Sequence, residues 1–83
     1  MGQLRHVTID GRRTSLRLEA EYWSALDEIG ELERFPLPAL CRFISQRYPQ
    51  GSLAAGVRVF VVSYFGALAR DAQAGDAPRP AEA

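Results

Sequence analysis

The sequence contains little of what thiol, metal and phosphate chemistry require. With one cysteine and one histidine, Cys41 and His6, it cannot form an intrachain disulfide or build a zinc site from these residue types. Its glycines form no phosphate-binding loop. The longest apolar run, residues 59–62, is too short to span a bilayer, and no secretory signal is apparent. We therefore expect a cytoplasmic, non-enzymatic protein without catalytic residues, metal or cofactor.

The chain also lacks any net charge, with ten basic and ten acidic residues. This balance argues against a non-specific polyanion binder, but the charges are segregated. Four arginines and one aspartate give residues 1–18 a charge of +3, and six acids give residues 19–33 a charge of −6. Five arginines give residues 34–70 a charge of +5, and residues 71–83 carry −2. The pattern fits either one positive molecular face or ordinary solvated faces with internal charge pairing.

The segment 12–18 alternates between polar and apolar or small side chains. On a β-strand, Arg13, Ser15 and Arg17 would share one face, and the residues between them would share the other. Arginine and serine at every second position suit the base edges of a DNA major groove, which is wide enough for a two-stranded ribbon. An isolated strand is unstable in water, and a chain of 83 residues buries little surface. The expected partner is therefore the same strand of a second copy.

The residues before this strand have two interpretations. We expect residues 1–11 to form an N-terminal arm. The alternative is a hairpin whose first strand includes Val7-Thr8-Ile9, because the Asp10-Gly11 pair that follows is a strong signal for a two-residue turn.

Three helical segments follow. The first is expected over residues 20–33 and ends before Phe35-Pro36. The second should run from Pro38 to about Tyr48, and the third from an N-cap at Ser52 to about residue 70. The β-branched residues within 57–62 would also suit a buried strand. The tail, residues 71–83, has no large apolar residue and is expected to be disordered.

Several of these segments together resemble a known family. They are Asp10-Gly11-Arg12-Arg13-Thr14-Ser15-Leu16-Arg17-Leu18-Glu19, then Tyr22-Trp23, then Ser52-Leu53-Ala54-Ala55-Gly56-Val57-Arg58-Val59-Phe60-Val61. The pattern is similar to ribbon-helix-helix DNA-binding domains, in particular a compact bacterial subfamily with Gly-His-Arg-Thr-Ser at the strand and Leu-Ser-Ser-Ala-Leu-Arg at a helix start. The likeness covers about residues 5–68. The chain departs from it at Arg12, where histidine is usual, and at residues 54–56.

The resemblance implies a mainly α, ribbon-helix-helix-like fold over residues 12–70, with one short N-terminal strand pairing in a homodimer plus three helices. It also implies sequence-specific binding of double-stranded DNA and transcription regulation. The DNA-binding residues would be Arg12, Arg13, Ser15, Arg17, Ser52 and Leu53. Within this set, the strand residues Arg13, Ser15 and Arg17 would read bases, while Arg12, together with Arg5, would approach the DNA backbone or the flanking groove.

One helix exceeds the two that this family ordinarily has, so the phosphate-binding helix start has two candidates. The N–H groups after Ser52 match the subfamily pattern, which would make the helix from Pro38 an insertion. The alternative is Leu37-Pro38-Ala39, where proline removes one of the N–H groups that a phosphate needs.

Two other functions remain open. The zero net charge and the acidic first helix favour a dimeric protein-interaction module that has the same fold and does not bind DNA. An antitoxin-like protein is the other alternative, although the segment after Arg70 lacks the apolar anchors that a toxin-binding tail needs.

Overall fold

A computed structural model describes residues 2–72 of the chain. The fold is an antiparallel two-stranded hairpin followed by three helices. This confirms the expected mainly α, ribbon-helix-helix-like architecture with three helices. The elements are β1 (Gly2–Ile9), β2 (Arg12–Glu19), α1 (Ala20–Glu33), α2 (Leu37–Arg47) and α3 (Leu53–Asp71).

The turn between the strands consists of Asp10 and Gly11. Both have a positive φ, 51° and 78° respectively. Positive φ at both central residues matches the right-handed twist of the flanking strands, and aspartate and glycine adopt it at low cost. The hairpin interpretation is therefore the one that the structure shows.

This hairpin changes two expectations. Residues 2–9 form a strand in place of the expected arm, and the partner of β2 is β1 of the same chain. The register runs from Gly2 opposite Glu19 to Ile9 opposite Arg12. The physical reason is that β1 satisfies the backbone groups along one edge of β2, so that edge needs no second copy.

Helix α1 begins directly after β2 and occupies residues 20–33, as the sequence predicts. Its buried face consists of Trp23, Leu26 and Ile29. The helix ends at Arg34, which has a left-handed φ of 60°, and the chain then folds back over the last turn. A Cβ at Gly30 would lie 2.9 Å from the carbonyl oxygen of Phe35, so this tight return requires glycine.

Helix α2 packs its apolar side into the same core. Leu40, Cys41 and Ile44 are buried, and Pro38 lies in the first turn, where its missing N–H is tolerated. Burial raises the pKa of the Cys41 thiol to about 11, because the thiolate would lose its hydration. Cys41 is thus a small core residue.

Helix α3 is the longest element, and it resolves the helix-or-strand ambiguity of residues 57–62 in favour of the helix. Ser52 is its N-cap, and the serine hydroxyl accepts a hydrogen bond of 3.1 Å from the Ala55 N–H. Gly56, Val57 and Val61 are buried against the rest of the domain. By length and composition, α3 is also the one helix within residues 2–72 that could cross a membrane.

The core lies between the inner face of the hairpin and the three helices. The hairpin is anchored to α1 by the Trp23 indole, whose Nε1–H donates to the Gln3 carbonyl at 2.8 Å. The buried apolar side chains are Val7, Leu16, Leu18, Trp23, Leu26, Ile29, Leu40, Cys41, Ile44, Val57 and Val61. The tail expected to be disordered lies outside the described residues from position 73 onward.

The intrachain register can be tested by a disulfide. Thr8 and Arg13 are directly opposite each other, and opposite Cβ atoms in a sheet approach disulfide distance. In a Cys41→Ala background, Thr8→Cys with Arg13→Cys should oxidise to a monomeric product on a non-reducing gel. Thr8→Cys with Thr14→Cys places the two thiols on opposite faces and should remain reduced. Crosslinked dimers as the main product would instead mean that the strands pair between copies.

Candidate nucleic-acid interface

One face of the hairpin points away from the helices, and we call it the outer face. Its β2 members are Arg13, Ser15 and Arg17, all exposed, whereas Leu16 and Leu18 are buried on the inner face. The alternation predicted for β2 is therefore confirmed. The outer face consists of Leu4, His6 and Thr8 from β1 and Arg13, Ser15 and Arg17 from β2.

The outer face carries cationic charge that other groups do not neutralise locally. Within residues 2–72, no carboxylate forms an ion pair with Arg13 or Arg17. Three other arginines do pair with acids: Arg5 with Asp27, Arg42 with Asp10 and Arg58 with Glu19. Both interpretations of the charge pattern therefore hold in part, since internal pairing neutralises Arg5, Arg42 and Arg58 and leaves Arg13 and Arg17 unpaired on the outer face.

The side chain of Arg17 lies along the end of the partner strand. A Cβ built on Gly2 would be 2.7 Å from the Arg17 Cγ, so the absence of a side chain at Gly2 makes room for the arginine stem. This contact limits the directions in which the stem can point. The guanidinium itself remains at the surface, because Arg17 is exposed.

His6 and Ser15 form a polar pair across the two strands. They are directly opposite in the register, and the Ser15 Oγ lies 3.0 Å from the His6 Nδ1. Which atom donates depends on the histidine tautomer. The pair lies between the two outer-face arginines, so it adds both donor and acceptor capacity to the middle of the face.

Arg12 does not belong to the outer face. It is opposite Ile9 at the turn end of the hairpin, and it lines a groove of about 350 Å³ together with Leu53. The structure thus brings together two residues that the sequence analysis assigned to DNA binding from separate segments. Asp10 and Ser45 line the same groove, and Asp10 lies 3.7 Å from Arg42.

The starts of α3 and α2 have different surroundings. At α3, Ser52 accepts the Ala55 N–H and the Ser52 carbonyl accepts the Gly56 N–H, so the N–H groups of Leu53 and Ala54 are the ones that helix geometry leaves available. At α2, the groove beside Leu37 is lined by Asp27 and Glu31. An anion near α2 would meet two carboxylates, whereas an anion near α3 would meet Arg12 and one carboxylate, that of Asp10, which is paired with Arg42.

Arg5 differs from its expected position near the DNA backbone. It lies on the inner face, where its guanidinium carbon is 4.4 Å from the centroid of the Trp23 ring and its Nη1 is 3.7 Å from an Asp27 oxygen. The side chain therefore covers the buried indole and joins the hairpin to α1, in a cation–π geometry.

Glu19 and Arg58 connect the end of β2 to α3. The Arg58 guanidinium donates from Nε and Nη2 to the Glu19 carboxylate at 3.1–3.2 Å. The pKa of Glu19 is lowered, first by its hydrogen bond with backbone N–H and then by the hydrogen bonds from Arg58. Because Glu19, the one acid of β2, binds Arg58, it does not neutralise the arginines of the outer face.

No group of three histidine, cysteine, aspartate or glutamate side chains within residues 2–72 is arranged to hold a metal ion. The outer face offers hydrogen-bond donation by arginine, with serine, threonine and histidine as mixed donors and acceptors.

The contribution of β1 to this face was not predicted from the sequence. Leu4, His6 and Thr8 were assigned to an arm or to a partial strand, although the Asp10-Gly11 turn signal and the alternation of Val7-Thr8-Ile9 together pointed to them. Extending that alternation backward through the register would have placed His6 and Leu4 beside the arginines.

A family model described as a ribbon-helix-helix domain matches residues 3–65, a range that covers the hairpin, α1, α2 and most of α3. No curated protein and no solved structure matched the chain.

The Glu19–Arg58 pair predicts a specific dependence of stability on pH. Because the folded-state pKa of Glu19 is lower than its ordinary value of 4.5, ionised Glu19 stabilises the fold above that pH. This contribution is lost as the pH falls through the lowered value. Glu19→Gln should therefore lower the Tm at pH 7. In acid, the same substitution should no longer change the Tm. Glu31→Gln is the control, and a Tm difference for Glu19→Gln that is the same at every pH would contradict the assignment.

Proposed function

The chain belongs to the ribbon-helix-helix family, and from this premise we propose that it binds double-stranded DNA sequence-specifically as a homodimer. In this proposal it acts as a cytoplasmic transcription regulator of bacterial type, with the outer face in the major groove. The observation that carries the proposal is the pair of exposed arginines, Arg13 and Arg17, on one face of a two-stranded ribbon without ion-pair partners in the described chain.

The dimensions of the outer face support this proposal. Two strands lie about 4.8 Å apart, and the major groove is about 12 Å wide, so the hairpin fits with its side chains directed at the bases. Residues four apart on a strand are separated by about 13 Å, close to the rise of four base pairs at about 3.4 Å each. Arg13 and Arg17 would therefore read bases near the two ends of a short site, with Ser15 between them.

The two strands of this ribbon are not equivalent, which affects what it can read. On β2, the guanidinium groups of the arginines can each donate two hydrogen bonds to the two acceptors of a guanine. On β1, the corresponding positions are Leu4, His6 and Thr8, so this strand has no second set of arginines. Leu4 could contact a thymine methyl, as apolar side chains do. We therefore expect each chain to recognise an asymmetric half-site, with guanines opposite Arg13 and Arg17.

The backbone contact in this proposal is made at the start of α3. The N–H groups of Leu53 and Ala54, the positive end of the α3 dipole and Arg12 can hold one phosphate. The start of α2 is less suitable, because Asp27 and Glu31 lie beside it and Pro38 lacks an N–H. This supports Ser52 and Leu53 as the phosphate-contacting pair.

A second function has one specific observation in its favour. Phe35 and Phe43 are 46% and 45% exposed, and they line an open groove of about 200 Å³ together with Phe60 and Tyr64. Exposed aromatic residues around a groove are typical of protein-binding surfaces. The alternative of a dimeric protein-interaction module, or of an antitoxin-like protein with the same fold, would place its partner here.

Replacing Arg17 tests the reading face. The preferred site is first selected from a random DNA pool with the unaltered protein. Because a bidentate arginine–guanine contact contributes about 1–3 kcal/mol of discrimination, Arg17→Ala should weaken binding to that site by about 5- to 150-fold. Binding to random DNA should weaken less, since only one charge is lost.

The controls separate base reading from charge and stability. Arg17→Lys keeps the charge but loses the fork geometry, so it should also lose discrimination. Thr14→Ala lies on the inner face and should act through thermal stability alone. Equal affinity of Arg17→Ala and the unaltered protein for the selected site would exclude the ribbon as the reading element and favour the interaction module.

Two aspartate substitutions distinguish the phosphate-binding helix starts. Ser52→Asp keeps an N-capping acceptor but places a carboxylate where a phosphate would bind, so the variant should fold normally and bind all DNA weakly. Its salt dependence should also become shallower, by about 0.9 in log–log slope for each lost phosphate contact. Pro36→Asp makes the equivalent change at α2 and should preserve binding. The reverse result, from DNA titration of both folded variants, would assign the phosphate to α2.

A further inference from the structure

His6 is the side chain of the outer face that can change its charge near neutral pH. It is the only histidine in the chain, and it is exposed. Histidine is the residue type that ordinarily gains or loses a proton between about pH 5 and 8. The proposed function gives base-reading roles to Arg13, Ser15 and Arg17 and leaves this imidazole without one. The imidazole is therefore the group through which the outer face can respond to pH.

The charged neighbours of His6 on the outer face are two arginines. Ser15 is directly opposite His6 in the register, and Arg13 and Arg17 lie two residues to either side of Ser15. Both arginines are thus diagonal neighbours of His6 across the strands, at about 7–8 Å. A protonated imidazole would add a third positive charge between them.

Within residues 2–72, no acid of the hairpin is placed to compensate such a charge. Asp10 at the turn is paired with Arg42, and Glu19 at the end of β2 is paired with Arg58. The helices pack on the inner face, so their carboxylates lie on the other side of the hairpin. An imidazolium at His6 therefore has to obtain its counter-charge from a ligand of the outer face.

The contact between His6 and Ser15 is compatible with both charge states of the ring. The Ser15 Oγ lies 3.0 Å from Nδ1, and a hydroxyl can donate to a neutral Nδ1 or accept from a protonated one. When the hydroxyl donates, the proton of the neutral ring is on Nε2, and the imidazolium also carries a proton there. The ring can therefore gain a proton while it keeps its contact with Ser15 and a donor at Nε2.

DNA in contact with the outer face would favour the charged ring. The base edges of the major groove present acceptors, namely guanine O6 and N7, adenine N7 and thymine O4. The duplex also carries one negative charge per about 1.7 Å of its axis. An acceptor facing Nε2 and phosphates nearby both stabilise the imidazolium relative to the neutral ring, so DNA binding should be accompanied by proton uptake.

We propose that His6 is a proton-linked reading residue, which donates from Nε2 to a base acceptor between the two arginine contacts and takes up a proton when DNA binds. The inference rests on the proposed function and adds its regulation by pH. By linkage, a protonation that occurs on binding strengthens binding as the pH falls. The gain is lost as the pH rises, once the ring is neutral in both the free protein and the complex.

DNA titration across pH tests the inference. At constant ionic strength between about pH 5.5 and 8.5, affinity of the unaltered protein for its selected site should fall as the pH rises. The fall is at most about tenfold per pH unit for each proton taken up. His6→Gln keeps a polar amide that does not titrate, so its affinity should be constant over this range. Thr8→Val, on the same strand and face, is the matched control and should retain the pH dependence.

Two further measurements assign the proton to the ring, in protein prepared without a histidine tag. Calorimetric titration in buffers of different ionisation enthalpy counts the protons, and it should show uptake of up to about one per chain that is absent in His6→Gln. Because the chain has one histidine, its imidazole resonance is unambiguous in NMR spectra. This resonance should retain its charged form to higher pH in the complex than in the free protein.

Site selection with His6→Ala tests the base contact. The guanines expected opposite Arg13 and Arg17 should persist, whereas the preference at the positions between them should relax. An unchanged preference at those positions would overturn the base contact.

The outcomes also separate this inference from the function on which it rests. Specific DNA binding whose affinity is independent of pH, or a pH dependence that His6→Gln retains in full, would overturn the proton linkage and leave the DNA-binding proposal intact. A protein that is folded by thermal unfolding at each pH but selects no DNA site at any pH would overturn both.

Discussion

Hydrogen bonding between β1 and β2 positions every other surface of this domain. The two-residue turn at Asp10 and Gly11 fixes the register, and the register decides which side chains enter the core. A shift by one residue would exchange the two faces of a strand, exposing Leu16 and burying the polar residues beside it. The Trp23 indole reinforces this arrangement from α1 by binding the Gln3 carbonyl. The core and the outer face are thus two consequences of one strand pairing.

The distribution of ion pairs explains how a chain with no net charge presents a cationic face. Acids of the turn, of β2 and of α1 hold Arg42, Arg58 and Arg5 respectively, and each pair joins two elements of the fold. Arg13 and Arg17 have no such partner within residues 2–72. The arginines that join two elements of the fold and the arginines of the outer face therefore lie at different places. Because a neutral chain can present a cationic face in this way, zero net charge alone is a poor argument against nucleic-acid binding.

The starts of α2 and α3 give the chain two different surfaces. α2 lies between α1 and α3 in the sequence, and its own start lies among carboxylates, while the start of α3 lies beside Arg12 and Asp10. The far side of α3 is apolar and exposed. In the function we propose, a chain contributes one complete ribbon and one phosphate-binding helix start. These two surfaces lie on different elements, the hairpin and α3, so substitutions can separate their roles.

The sequence by itself determined the features that depend on neighbouring residues. The bounds of α1, the Ser52 cap and the two faces of β2 follow from helical periodicity, turn chemistry and strand alternation, all of which act over a few residues. Only the tertiary structure decided the partner of β2, the inner position of Arg5 and the meeting of Arg12 with Leu53. Each of these depends on contacts between segments far apart in the chain, such as Gln3 with Trp23. A polar strand like β1 has no local pattern strong enough to reveal that an indole twenty residues later holds it in place.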